Sequence, residues 1–158
     1  MQSKLESRRF ATLAEQLSES VVVTDLEGRI TWANSAFTGL CGYGKNEVLG
    51  KRPGDFLQGK ETDPEAVAAL RNAVRNRRPL HAEILNYRKD GSPYWADIRL
   101  DPIEDRSGEV AGFVAIVSDV SETVRDRWGM EEEVVEVYGT LLAALQGKDS
   151  AAPFDPRI

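Results

Sequence analysis

The run NYRKDGSPYWADIRL, residues 86–100, has few ways to fold. Tyr87, Tyr94, Trp95 and Ile98 supply the aromatic and β-branched bulk of strands. Asp90-Gly91 supplies a reversal, because glycine accepts positive φ without a steric penalty. The stretch reads as two strands joined by a tight turn, with arms running from Leu80 to Lys89 and from Pro93 to Ile103.

The rest of the chain is read outward from that ribbon. Downstream, Arg106-Ser107-Gly108 turns the chain into Val110–Val117, which is almost wholly apolar and therefore expected at the centre of a sheet. Upstream, the β-branched Val21-Val22-Val23, the turn at Glu27-Gly28 and Ile30-Thr31-Trp32 give two more strands. Between the second and third strands the pattern is helical. Asn34 or Ser35 can cap a short helix through Phe37 and Leu40, and a second short piece follows at Glu47-Val48-Leu49. Gly50 to Gly59, with Pro53, is expected to be irregular or a single turn. Asp63-Pro64 starts a longer helix with the stripe Val67, Leu70, Val74, stopped by Arg77-Arg78-Pro79. Leu5, Phe10, Leu13 and Leu17 mark an amphipathic helix before the first strand. Val124, Trp128, Val134, Val137, Leu141 and Leu145 mark another after Ser121. Five antiparallel strands with helices between strands two and three make an α+β plan. The expected divisions are a flanking helix over 1–17, a domain over 18–120, a signalling helix over 121–146 and a disordered tail over 147–158.

Composition narrows the function. At 158 residues the chain can bury one real core. A net charge of −6 argues against nucleic acid and against an anionic membrane surface. No apolar run approaches the roughly 20 residues of a membrane span, and the N-terminus has no signal-peptide pattern. One cysteine, Cys41, excludes an internal disulfide and fits a reducing, cytoplasmic setting. With no output domain of its own, the chain is expected to be either a piece of a larger sensor or a protein acting in trans; a start at Met1 and a tail that fades into loop lean slightly to the free-standing form. There is no phosphate-cradling glycine loop, no nucleophile elbow and no Cys/His metal spacing, so the expectation is a non-enzyme without a metal.

Four segments in this order resemble a PAS domain: TDLEGRITWANSAF (24–37), GYGKNEVLGKRPGDFLQG (42–59), NYRKDGSPYW (86–95) and DVSE (119–122). FLQGKETDP (56–64) with NYRKDG is similar to the light-oxygen-voltage (LOV) branch, whose members bind flavin and form a cysteinyl adduct in blue light. Matched to that branch, Gly54 stands where the photoreactive cysteine would be, Pro53 replaces an asparagine before it, and Asp55 replaces a phosphate-facing arginine. Ala96 and Val117 replace a ring-binding asparagine and the signalling glutamine, while Gln58, Asn86 and the phosphate-binding Arg71 survive. The resemblance with these departures implies no adduct chemistry and a more apolar pocket. That pocket holds an apolar ligand, a differently oriented flavin, or only its own side chains. The cofactor is left unassigned: flavin stays open, and haem is disfavoured because residues 53–79 contain no histidine.

Each candidate also has a plain structural reading. Asn86 contacts a ligand or bonds its own hairpin, Gln58 faces the pocket or a loop backbone, and Arg71 binds phosphate or is solvated. His81 reads as a surface residue, Cys41 as an inert buried thiol, and Trp32 and Trp95 as core packing. Trp128, Val134, Val137, Leu141 and Leu145 form a stripe that needs covering, by the chain's own sheet or by a second copy. The resulting expectation is a non-enzymatic sensor and interaction module in signal transduction. It would dimerise and contact a bacterial two-component partner such as a histidine kinase, with a small-molecule ligand in its pocket. The alternative is a flavin-binding redox sensor without adduct photochemistry.

Overall fold

The computed structural model describes residues 2–146, less the side chains of 2–7, 130–136, 138, 139, 142 and 146. The chain divides into two units, Met1–Val120 and Ser121–Ile158. The first contains α1 (Gln2–Gln16), β1 (Ser20–Thr24), β2 (Ile30–Ala33), α2 (Ser35–Cys41), α3 (Lys45–Val48), α4 (Pro53–Leu57), α5 (Pro64–Asn76), β3 (Leu80–Tyr87), β4 (Pro93–Glu104) and β5 (Val110–Asp119). The five strands form one antiparallel sheet in the order β2-β1-β5-β4-β3. This is the α+β arrangement expected from the sequence, with four helices between β2 and β3.

Local chemistry sets each element. In the β1–β2 turn the Asp25 carboxylate accepts from the backbone N–H groups of Glu27 and Arg29, and Gly28 takes φ +83°. The β4–β5 turn repeats this device with Asp105, which accepts from Ser107 and Glu109, and with Gly108 at φ +84°. At the β3–β4 reversal Asp90 accepts from Ser92 N, beside Gly91 at φ +87°. The sequence reading found the glycines; the aspartates do as much to fix the turns. α5 is capped by Asp63, which accepts from Glu65 N, and ends at Arg77 in the left-handed conformation.

β5 is central because it is apolar on both faces, pairing Ser20↔Val117 through Thr24↔Phe113 on one side and Ala96↔Asp119 through Glu104↔Val110 on the other. The inner face carries two clusters. One gathers Ile84, Tyr94, Leu100, Phe113 and Val117, with Val67, Leu70 and Val74 of α5 packed on it. The other gathers Val22, Ile30, Phe37, Cys41, Val48 and Leu57.

The tryptophans depart from expectation. Trp32 and Trp95 are half-buried and belong to neither core cluster. Strand alternation puts Trp95 on the face opposite the buried Tyr94 and Ala96. Phe10 meets Trp32 edge-on, with ring centroids 5.7 Å apart. Among the described side chains of α1 the buried one is Ala14, while Phe10, Leu13 and, just past the helix, Leu17 are exposed. The cause is the anchoring of the helix end. The Ala14 carbonyl accepts from Asn34 Nδ2, and the neighbouring Glu15 carboxylate accepts from Ser35, which turns Ala14 rather than the leucines inward.

The second unit is described through α6 (Ser121–Gln146). Val137, Leu141 and Leu145 are exposed on it and Trp128 is half-buried. The Val134 side chain and the tail from 147 lie outside the described residues. No helix among the described residues is long and apolar enough to cross a membrane.

Asn34 bonds four backbone groups from three elements and the loop between them, at 2.9–3.0 Å. Asn34→Ala would leave those groups buried and unmet. The expected loss is about 3 kcal/mol of folding stability, read from urea denaturation. A loss below about 1 kcal/mol would show that water replaces the amide.

Candidate functional site

A cavity of about 500 Å³ is lined by the sheet on one side and by α4 and α5 on the other. Because side chains alternate along a strand, residues two apart share its wall: Ile84 and Asn86 of β3, Ile98 and Leu100 of β4, Ala115 and Val117 of β5. Val22, Phe37, Leu57, Val67, Leu70 and Val74 continue the apolar lining from β1 and the helices. The charged lining residues Glu27, Arg52, Asp55, Arg71 and Arg75 are exposed and form its rim. A volume of this size with an apolar lining and few polar groups is the usual form of a small-molecule site.

Five of the six sequence-expected pocket residues come together here. Gly54, Gln58, Arg71, Asn86 and Val117 all line the cavity. Asn86 is buried at 4% exposure on the inner face of β3, whereas Arg71 is exposed at the rim. Gln58 follows α4 directly, in a loop pinned to β3: Thr62 Oγ1 donates to Leu85 O at 2.7 Å, and Glu61 N donates to the Tyr87 hydroxyl at 3.1 Å. Gly54 leaves room for that glutamine, since a Cβ there would lie 2.9 Å from the Gln58 amide. Ala96 does not reach the cavity wall and is corrected here. It is fully buried in the cluster with Ile84 and Tyr94, whose larger side chains cover it.

Two features escaped the sequence reading. Arg75 joins Arg71 at the rim, and the four-residue spacing on α5 was the available signal. Tyr94 sits opposite Asn86 in the β3–β4 register and is 1% exposed, yet its hydroxyl has no hydrogen-bond partner. Burial pushes the phenol up to about 12, against the smaller opposing effects of the neighbouring Asn86 amide and Arg88. The Arg88 guanidinium lies 4.6 Å from the centre of the Tyr94 ring and pairs with Asp119 at 2.9 Å. Alternating apolar and polar residues identify a buried strand position without revealing that its hydroxyl will be orphaned.

The other candidates lie elsewhere. Cys41 is fully buried, its thiol pushed up by desolvation, and it does not line the cavity. His81 is exposed, with Nε2 2.6 Å from Asp97 Oδ1. Among the described residues no group of His, Cys, Asp or Glu could hold a metal ion.

The donor set does not fit a flavin held as in the LOV branch. Asn86 and Gln58 are the amides on the cavity wall, Val117 offers only methyls, and Ala96 lies behind it. A ring edge with unmet polar atoms is penalised by about 1–3 kcal/mol for each. At the rim Asp55 opposes an anionic phosphate.

Comparison with known proteins places these features. The family model for the PAS domain matches residues 18–122. Phototropin-2 of Oryza sativa subsp. japonica is 36% identical over 119 residues, covering 73% of this chain and 13% of the relative. Blue-light-activated histidine kinase 1 of Erythrobacter litoralis (strain HTCC2594) is 33% identical over 124 residues, covering 77% of this chain and 34% of the relative. A solved RNA-binding light-oxygen-voltage receptor superposes with a TM-score of 0.75 at 30% identity, covering 83% of this chain and 38% of that one. The chain is thus closely similar to LOV photoreceptor domains, and it spans 13% and 34% of those two curated relatives' length.

Tyr94 yields a pH test. The unfolded phenol ionises near pH 10, whereas the folded one is raised to about 12. Its contribution is therefore complete below about pH 10 and is lost as pH rises through about 12. Tyr94→Phe removes both the orphaned hydroxyl and this titration. The variant is expected to be no less stable at pH 7, and to lose about 1–2 kcal/mol less than wild type between pH 9 and 12. Urea denaturation across that range checks it; parallel curves would mean that Tyr94 ionises freely.

Proposed function

Because this chain belongs to the PAS domain family, we propose that it acts as a non-enzymatic sensor and interaction module. It is a PAS domain of the LOV-like sensory signalling kind, similar to those of blue-light photoreceptors and histidine kinases. In our reading a small molecule occupies the cavity, the chain dimerises through its terminal helices, and the dimer contacts a signalling protein such as a histidine kinase. The cavity carries this reading. It is walled on one side by β5, and β5 ends at Asp119, just before α6 begins at Ser121. A ligand that moves Val117 acts on the strand leading directly into the helix that would carry the signal.

Adduct photochemistry is absent in this reading. Cys41 is the one cysteine of the chain and lies off the cavity wall, so no thiolate can reach a bound chromophore. RNA binding, named for the solved receptor, is not carried over, since a net charge of −6 opposes a polyphosphate. A second reading, a flavin-binding redox sensor without an adduct, draws on the joint placement of Gln58, Arg71 and Asn86 around one cavity. Val117 and Asp55 weigh against it. The colour of the purified protein separates the two, because bound flavin would make it yellow.

Two experiments bear on the whole reading. Blue light is expected to produce no reversible bleaching with dark recovery, even in protein loaded with flavin; such bleaching in an absorption spectrum would return Cys41 to the mechanism. For assembly, the exposed Leu141 and Leu145 are the test positions. Leu141→Glu with Leu145→Glu is expected to convert a dimer into a folded monomer, measured by light scattering. A wild type that is monomeric at high concentration would end the dimer proposal.

A further inference from the structure

We propose that the cavity takes an amphipathic carboxylate, with its apolar chain inside and its head group against Arg71 and Arg75. This rests on the cavity being a ligand site and adds the chemistry of the ligand. Arg71 and Arg75 are one turn apart on α5, so they share a face. Both line the cavity, and both also line a shallower groove of about 430 Å³ that shares Gln58 and Val67 with it. They stand where the interior meets the outside. Neither has an ion-pair partner among the described residues. Arg52, the third rim arginine, is engaged, with its Nε donating to Glu27 O at 2.9 Å.

The rim charge selects the head group. Three arginines against Glu27 and Asp55 leave one positive charge in excess. A monoanion is matched, whereas a phosphate dianion would remain partly uncompensated beside Asp55. The guanidinium fork also suits the two oxygens of a carboxylate. The interior selects the body. Leu57, Leu70, Ile84, Leu100 and Val117 present only hydrocarbon. Asn86 is the buried amide of this wall, across from Tyr94 in the β3–β4 register. A chain of methylenes leaves none of its own atoms unmet in such a space, and a heteroaromatic ring would.

The test is isothermal titration of the full chain, stripped of co-purifying lipid, with decanoate, decanol, FMN and inorganic phosphate. Decanoate is expected to bind one per chain. The double variant Arg71→Gln/Arg75→Gln, checked for folding by circular dichroism, is expected to bind decanoate at least tenfold more weakly and decanol within about threefold of wild type. If the variant binds decanoate as wild type does, the head-group site is wrong although the cavity still takes a ligand. FMN binding that excludes decanoate would overturn the ligand class while leaving the cavity as a sensor site. Competition by inorganic phosphate would mean a surface anion site and overturn the seating of the chain inside. If none of decanoate, decanol and FMN binds to folded protein, the ligand-site reading itself fails.

Discussion

One buried side-chain amide holds the first unit in register with itself. Asn34 Oδ1 accepts from Val21 N and Phe37 N, and its Nδ2 donates to the carbonyls of Ala14 and Glu19. The residue is fully buried, and three of these bonds are shielded from water, so their backbone groups would otherwise be orphaned; the bond to Glu19 is part-buried. A single planar group thereby fixes the end of α1, the start of β1 and the first turn of α2. The consequences reach the cavity. β1 brings Val22 to its wall, and α2 brings Phe37 there while sending Cys41 into packing with Val48 and Leu57.

The second constraint is the central position of β5. Its alternate residues Phe113, Ala115 and Val117 are buried on the inner face, and Ala115 and Val117 reach the cavity. Gly112 is required in the same strand, because a Cβ there would collide with the Thr24 carbonyl of β1. At its far end Asp119 is gripped by Arg88, whose guanidinium also lies over the Tyr94 ring. Val117 and Asp119 are two residues apart; Val117 is paired on both sides, to Ser20 and Ile98, and Asp119 to Ala96 of β4. A displacement at the cavity wall therefore meets little slack before the chain leaves the sheet.

The sequence was informative where period and punctuation agree. The hairpin, the apolar β5 and the capped α5 all combine a hydrophobic pattern with glycine, aspartate or proline at the right place, and they formed as expected. The tryptophans show the limit. Alternation assigns Trp95 and Tyr94 to opposite faces of β4, but only the helices covering the sheet decide which face is the core. Size alone pointed to the wrong residue. The site was legible mainly through the family resemblance, which located Gln58, Asn86 and Arg71. Ala96 was misplaced because residue matching says where a backbone position lies and not which neighbours cover its side chain. Arg75 was visible only as a spacing, and the orphaned hydroxyl of Tyr94 left no signal in the sequence.

The apolar character of the cavity follows from what its polar residues face. At position 54 the missing side chain makes room for the Gln58 amide, which lies 2.9 Å from where a Cβ would stand. On β3 the Asn86 amide lies across from Tyr94, and further along the sheet Val117 of β5 adds only methyls to the wall. Two side-chain amides, Gln58 and Asn86, are thus what the wall offers a polar ring, in a lining that is mostly hydrocarbon. Discrimination then passes from the interior to the rim, where Arg71 and Arg75 stand without an ion-pair partner among the described residues. An interior that rewards only burial, with a mouth that rewards one negative charge, selects its ligand by length and head group rather than by ring chemistry.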